Sequence, residues 1–454
     1  MTNSNSTPRN LASLVYKKIK GAKVHLPIPN EDILNELFET MFYASLKTEE
    51  SQLVKVTVTF IDPNNPDPSP PERLVADRWN YIAFKEKIPF TVKNLVKISK
   101  AADPWSSSLA VYYDDKNELQ IWGMIDQAIH YQSFLNYESD SGPEKPGLFQ
   151  TSITGIGNLV VMFDYELIAN LKQNHLISNY IDVFKFGPIS ELLNENSLVY
   201  KRAIAKHLKG TFPEDEVIDW NKHVEDSYKE SLSRILLRIQ NYQHGGAILI
   251  STNIGSDLKV KHAINYDRLF NAIIDNSIST ISNYYFNQEI HDKYLESSKK
   301  NMPTALYLDE SISDYDKIDT TDEIKGVLRF ISSLSCVDGL ILFKPELIVQ
   351  GFGVVIELRD FPKYVYCSNT SKINESKLDP IESNHFGTRH RSMFSYCWNN
   401  PDSLGFVISQ DGDIRAIKRF NDKLIMWENI KVLKYLRSHK LVRKVLIKRK
   451  KNGS

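Results

Sequence analysis

The stretch YKESLSRILLRIQNYQHGGAILIST (228–252) carries two structural periods back to back. Leu232, Ile235, Leu236 and Ile239 recur at i, i+3, i+4 and i+7, the single apolar stripe of an amphipathic helix. The Gly pair at 245–246 ends that helix. AILIS (247–251) is then a short unbroken apolar run, which suits a strand buried on both faces. A helix feeding a doubly covered strand predicts an α/β domain with a mixed sheet flanked by helices.

Working outward, GLILF (339–343), GVVIEL (353–358) and GFVIS (405–409) are further short apolar runs bounded by turns, and they supply neighbours for that strand. Thr320 and Glu323 make a capping box ahead of Ile324, Val327, Leu328 and Ile331, predicting a helix that begins there. Residues 270–300 read as a polar helical insertion, and 359–384, rich in Ser, Asn, Asp and Lys, as a long loop or small excursion. Upstream the chain reads as α+β. LVKVTVTFID (53–62) alternates like a strand and stops at a Pro/Asn/Asp cluster, and NLVVMFDYE (158–166) is another strand. SLAVYYDD and ELQIWGMI are strands joined by the DDKN turn into a hairpin. ESDSGPEKPG (138–147) is an exposed loop. KGTFPEDE (209–216) provides breaker chemistry, so the domain boundary is expected between 205 and 228, giving 1–215 and 228–454.

A chain of 454 residues has material for two or three domains. With 56 Lys+Arg against 56 Asp+Glu, its zero net charge gives no global reason to expect nucleic-acid binding, so an anion site must be a local cluster. Three cysteines, Cys336, Cys367 and Cys397, are too scattered for a disulfide framework, which suggests reduced thiols. The start MTNSNSTPRN lacks the order of a signal peptide, and no apolar run reaches the roughly 18 residues of a membrane span, so a cytoplasmic protein is expected. The tail KVLKYLRSHKLVRKVLIKRKKNGS (431–454) is either a frayed basic terminus or a weak docking site for nucleic acid or anionic lipid.

Two pieces carry chemistry. Asp338-Gly339 sits between a helix and a buried strand; its carboxylate is either a turn residue or a ligand for a hard divalent cation. NHFGTRHRSM (384–393) sets Arg389, His390 and Arg391 directly after Gly387-Thr388. Such a run is either a solvated turn or an anion clamp. The guanidinium forks suit phosphate oxygens, Gly387 permits close backbone approach, Thr388 adds a hydroxyl and an N–H, and His390 could orient or donate. In the N-terminal half, Trp105, Trp122 and Tyr112–Tyr113 are either core or a ligand pocket, and His130, His175 and His207 are too dispersed to form a site.

In order, GGAILIST, Asp338-Gly339-Leu340, Gly387-Thr388-Arg389-His390-Arg391 and VISQD (407–411) resemble the diadenylate cyclase domain family over roughly 228–430. The N-terminal region resembles the probable sensor domains of the DACNV type that precede such cyclases in bacteria. The resemblance implies condensation of two ATP into cyclic di-AMP with release of pyrophosphate, by self-associated domains meeting face to face. Asp338 would bind Mg²⁺ or Mn²⁺, with Asp411 as a second metal ligand. Gly339, Leu340, Gly387, Thr388, Arg389, His390, Arg391, Ser409 and Gln410 would hold the nucleotide, and Asp338, Arg389, His390 and Arg391 would be catalytic. Leu340 replaces the family's Ala, and Ser409-Gln410-Asp411 replaces Ser-Glu-Glu. Those departures leave open a catalytically weakened nucleotide sensor, or a nucleotidyltransferase with another cyclic or linear product.

Overall fold

The computed structural model describes residues 5–20, 28–66, 80–103, 106–126, 148–163, 166–210, 220–253, 255–290, 294, 303–357, 360–410 and 412–432. Two compact units emerge, one ending at Asn179 and the other spanning Tyr180–Val432. The protein is mixed α/β throughout. The ESDSGPEKPG loop, most of the KGTFPEDE stretch and the basic tail from 433 onward lie outside the described residues.

In the first unit, helix α1 (Pro8–Ile19) starts at a capping box between Thr7 and Asn10, and α2 (Glu31–Ser45) starts at Asn30, whose side chain accepts from Ile33 N–H. Each cap satisfies an otherwise orphaned donor, which is worth about 1 kcal/mol. After a two-residue pair, β1 (Thr48–Glu49) and β2 (Gln52–Leu53), eight strands form one sheet. They are β3 (Val56–Phe60), β4 (Asn80–Pro89), β5 (Ser107–Tyr113), β6 (Leu119–Asp126), β7 (Phe149–Gly155), β8 (Asn158–Phe163), β9 (Glu166–Lys172) and β10 (His175–Ile177), in the order β10-β9-β8-β7-β3-β5-β6-β4. Helix α3 (Val92–Ser99) follows β4 in the chain. Leu11, Val15, Leu34, Phe38 and Met41 share one core with Val56, Val58, Leu109, Val111, Ile121 and Phe149. The β5–β6 hairpin turns where expected: Asp114 Oδ1 accepts from Lys116 and Glu118 N–H, and Asn117 takes φ 61°.

The second unit begins with α4 (Pro188–Asn196), α5 (Leu198–Leu208) and α6 (Asn221–Asn241). Helices α4 and α5 pack on α6, and α5 also packs on α7 (Arg268–Ile290). That packing is why the division falls at Asn179, upstream of the 205–228 region suggested by breaker residues. The stripe Leu232, Ile235, Leu236 and Ile239 is buried as the periodicity requires.

Nine strands make the sheet: β11 (Gly246–Ile250), β12 (Leu258–Tyr266), β13 (Leu340–Phe343), β14 (Val349–Ile356), β15 (Tyr364–Ser368), β16 (Asp379–Glu382), β17 (Leu404–Ile408), β18 (Ile414–Phe420) and β19 (Lys423–Trp427). Their order is β12-β14-β13-β11-β17-β18-β19-β15-β16. The central strands β11, β13 and β17 are fully buried, which explains why each reads as an unbroken apolar run. On one face, Ala247, Leu249, Leu342 and Val407 pack with Met393, Phe394 and Cys397 of α9 (Thr388–Asn399).

One expectation changes and another narrows. Thr320 does not start a helix: α8 runs unbroken from Thr304 to Ser333. Inside a helix a threonine bonds back to the preceding turn, and the Thr320 hydroxyl donates to Asp316 O at 2.9 Å, while Glu323 accepts from Arg268 Nε at 3.0 Å. Residues 359–384 are the small excursion and not the long loop. They contain the antiparallel pair β15–β16, and β15 joins the sheet in parallel beside β19. The alternation of outward Tyr364 and Tyr366 with buried Val365 and Cys367 is too short to stand out among polar neighbours.

Candidate functional site

Strand register brings the separated sequence pieces to one end of the nine-stranded sheet. Ile248 lies beside Ile341 in the parallel pair, so two residues earlier Gly246 lies beside Gly339. On its other side Gly246 faces Ile408. His244-Gly245, Asp338-Gly339 and Ser409-Gln410 therefore leave three adjacent strands at the same edge. Counting residues along the sequence could not reveal this; only the pairing does.

Helix α8 tightens into a 3-10 turn at Leu334–Cys336 before the Asp338-Gly339 step. Gly339 has φ 127°, and a Cβ there would lie 2.4 Å from the carbonyl carbon of Gly353. Only glycine permits both that dihedral and that approach. Asp338 is exposed, and its backbone carbonyl accepts from Lys261 Nζ at 3.4 Å. Its carboxylate makes no hydrogen bond or ion pair among the described residues. The Leu340 side chain turns into the apolar core with Leu249, Val354 and Phe394.

The GTRHR run forms the first turn of α9, with Gly387 as an N-cap that lacks a side-chain cap. His390 and Arg391 N–H both bond Gly387 O at 3.1 Å, which leaves the N–H groups of Thr388 and Arg389 at the positive end of the helix dipole. Thr388 and Arg389 are exposed. The Arg389 guanidinium passes over Gly245: its Nη1 lies 2.7 Å from where a Cβ of Gly245 would be. Arg391 is half-buried, and its Nε is a buried donor without a hydrogen-bond partner. Native proteins rarely leave such a donor unsatisfied, and a donor in the first turn of a helix is placed to suit an anion.

His390 behaves differently from its neighbours. Its ring sits among Phe386 and Phe394, and Nε2 lies 3.2 Å from Arg415 Nη1. Burial, followed by the positive charges of Arg415 and Arg389, pushes its pKa down to about 4.

Ser409 organises the facing turn. Its Oγ accepts from Asp413 N–H at 2.9 Å, its carbonyl accepts from Gly412 N–H at 3.0 Å, and Gln240 Nε2 of α6 donates to Gly412 O at 2.5 Å. Gln410 is exposed, and Asp411 lies outside the described residues. Among the described residues no group of three or more His, Cys, Asp or Glu could hold a metal ion. A cation at Asp338 would thus draw most of its oxygens from a bound phosphate or water, a pattern usual for Mg²⁺.

Sequence reasoning missed His244, whose Nε2 lies 3.3 Å from Cys336 Sγ, and treated Gly245 only as a helix terminator. Arg415 and Glu428 gave no signal at all. In the first unit, Trp122 is core: its indole donates to Ile61 O at 2.9 Å. Tyr112 and Tyr113 stack at 4.3 Å, with Phe60 alongside. His175 and His207 are exposed, and Trp105 and His130 lie outside the described residues.

No helix of the described residues is long and apolar enough to cross a membrane. No curated protein matches the chain. A solved structure titled a hypothetical membrane spanning protein from Bacillus cereus aligns with 52% of this chain and 89% of its own, at 11% identity and a TM-score of 0.22. Residues 23–126 match the family described as the probable sensor domain DACNV.

Proposed function

We propose that the protein is a cytoplasmic diadenylate cyclase. In this reading the second unit, Tyr180–Val432, carries the catalytic site and the first unit, ending at Asn179, regulates it. The observation that carries it is the meeting of Arg389 with Gly245 at the edge where register also sets Asp338-Gly339 and Ser409. The sensor-family match at 23–126 supports the regulatory half.

The arrangement suits nucleotidyl transfer, which needs positioning and charge neutralisation more than covalent chemistry. Arg389, Arg391 and the free N–H groups of α9 would bind the triphosphate. Gly339 would let the backbone lie against the nucleotide, and Gln410 would reach it from the facing turn. Asp338 would hold Mg²⁺ or Mn²⁺, which when bound draws charge off the phosphate oxygens. Two self-associated domains would each present one ATP. Each 3′-hydroxyl would form a new P–O bond to the other α-phosphate, lose its proton and displace pyrophosphate, so two ATP give one cyclic di-AMP and two pyrophosphates.

Incubation of the full chain with ATP and either metal, followed by mass spectrometry, tests the reading. Cyclic di-AMP is the expected product; its absence across metals and protein concentrations overturns the cyclase. Asp338→Asn and Arg389→Ala are each expected to lower the rate at least 100-fold. A second reading, a nucleotide-binding sensor with weak or no turnover, is favoured by the single described carboxylate at the site, since Gln410 brings none. ATP binding without product would select it, and products other than cyclic di-AMP from mixed nucleotides would mark a different nucleotidyltransferase.

A further inference from the structure

We infer that Arg415 and Glu428 are positioning residues of the anion site: they hold His390 as an uncharged Nδ1–H imidazole, leaving the clamp's positive charge to Arg389 and Arg391. This deepens the nucleotide reading and rests on it.

The chemistry follows from donor and acceptor roles. A guanidinium can only donate, so at 3.2 Å from Arg415 Nη1 the His390 Nε2 must accept and carry no proton. The proton then resides on Nδ1, and protonating Nε2 would force two donors together. Arg415 is itself fixed. Ala416 pairs with Trp427 across β18 and β19, which places Arg415 opposite Glu428, and Arg415 Nε donates to Glu428 Oε1 at 2.8 Å. Both side chains of that pair are about four-fifths buried, so the fork has little freedom to rotate away.

The charged groups around the ring all favour the neutral form or stand apart from it. Arg415 comes from β18 and Arg389 from the ring's own helix. Glu428, just past the end of β19, is engaged by Arg415. On β15 the Cys367 thiol is pushed up to about 12 by burial, with Glu428 as the next cause, and is uncharged. Phe386 and Phe394 complete the surroundings. Sequence alone had His390 orienting or donating to a phosphate; the geometry makes it the joint through which the sheet sets the pitch of the first turn of α9.

Proton NMR of the histidine Cε1–H signals in the full chain without nucleotide tests this, with His390→Gln identifying the resonance. The His390 signal is expected not to titrate above pH 5, and Arg415→Met is expected to raise its midpoint by about one pH unit. A wild-type midpoint near the ordinary 6.5 overturns the inference. In ATP binding followed by calorimetry, Arg415→Lys keeps the charge but cannot bridge His390 and Glu428 together, so affinity should fall about tenfold. His390→Gln retains an acceptor for Arg415 and should lose less ATP affinity than His390→Ala, which should lose about tenfold. Full binding by Arg415→Lys also overturns the inference. A silent His390 signal in a protein that binds no ATP would uphold the neutral imidazole and sink the nucleotide reading instead.

Discussion

The aromatic cluster of the first unit and the GTRHR end of the second sheet treat their polar groups in opposite ways. In the first unit the described side chains that looked like a ligand pocket are internally satisfied: Trp122 donates to Ile61 O at 2.9 Å, and the Tyr112 hydroxyl donates to that of Tyr113 at 3.2 Å. At the candidate end of the second sheet, among the described residues, the Arg391 Nε has no partner and no hydrogen bond or ion pair engages the Asp338 carboxylate. Buried polar atoms without a partner also occur on the first sheet, at Thr151, Asn158 and Asn170, so the Arg391 Nε is set apart by its place in the GTRHR turn beside exposed Thr388 and Arg389. Burial of a polar atom without a partner is costly, so where it occurs it is the more informative signal.

Four measurements can break or sharpen that contrast. The largest effect is expected from Gly339→Val, which meets the Gly353 backbone and strains a φ of 127°; it should destabilise the full chain by about 3 kcal/mol or more and abolish ATP binding. The second concerns pH. His390 has a folded-state pKa below its unfolded value, so the unfolded chain binds the proton more readily between the two, and stability is full above about 6.5 and declines as pH falls toward about 4. Urea denaturation should show a loss of up to about 2 kcal/mol between pH 6.5 and pH 5, absent in His390→Gln.

The remaining two should carry opposite signs. Trp122→Phe leaves Ile61 O unsatisfied and should cost about 1–2 kcal/mol by thermal denaturation, with ATP affinity unchanged. Arg391→Met removes an unpaired donor, so it should leave stability unchanged or raise it by up to about 1 kcal/mol, while ATP affinity falls at least tenfold. If Arg391→Met instead lowered both, the buried Nε would be a structural contact and not a waiting ligand donor.

What was legible in the sequence tracks how local its cause is. The central strands were legible because burial on both faces removes every polar residue from 247–250 and 340–343. The β5–β6 turn was legible because Asp114 and Asn117 act on their own backbone. The Thr320 box failed for a related reason: the Thr-x-x-Glu spacing is the same at a helix start and in a helix interior, and only the course of residues 304–319 decides between them. The GTRHR run was visible as a solvated turn or an anion clamp, yet the different fate of its histidine was not. That fate depends on Arg415, 25 residues later, and on a strand pairing that places Glu428 opposite it.

The floor of the candidate site is main chain rather than side chain, since Gly246 and Gly353 lie on β11 and β14, and Gly245 and Gly339 in the turns just before β11 and β13. Such a floor can be altered by substitution in one direction only, by adding atoms. Variation at these four positions should therefore act as a one-way valve on capacity, narrowing what the site admits and never widening it. Broader ligand choice would have to arise at the rim, where Lys261, Gln410 and Thr388 stand exposed and can be exchanged without disturbing the sheet beneath.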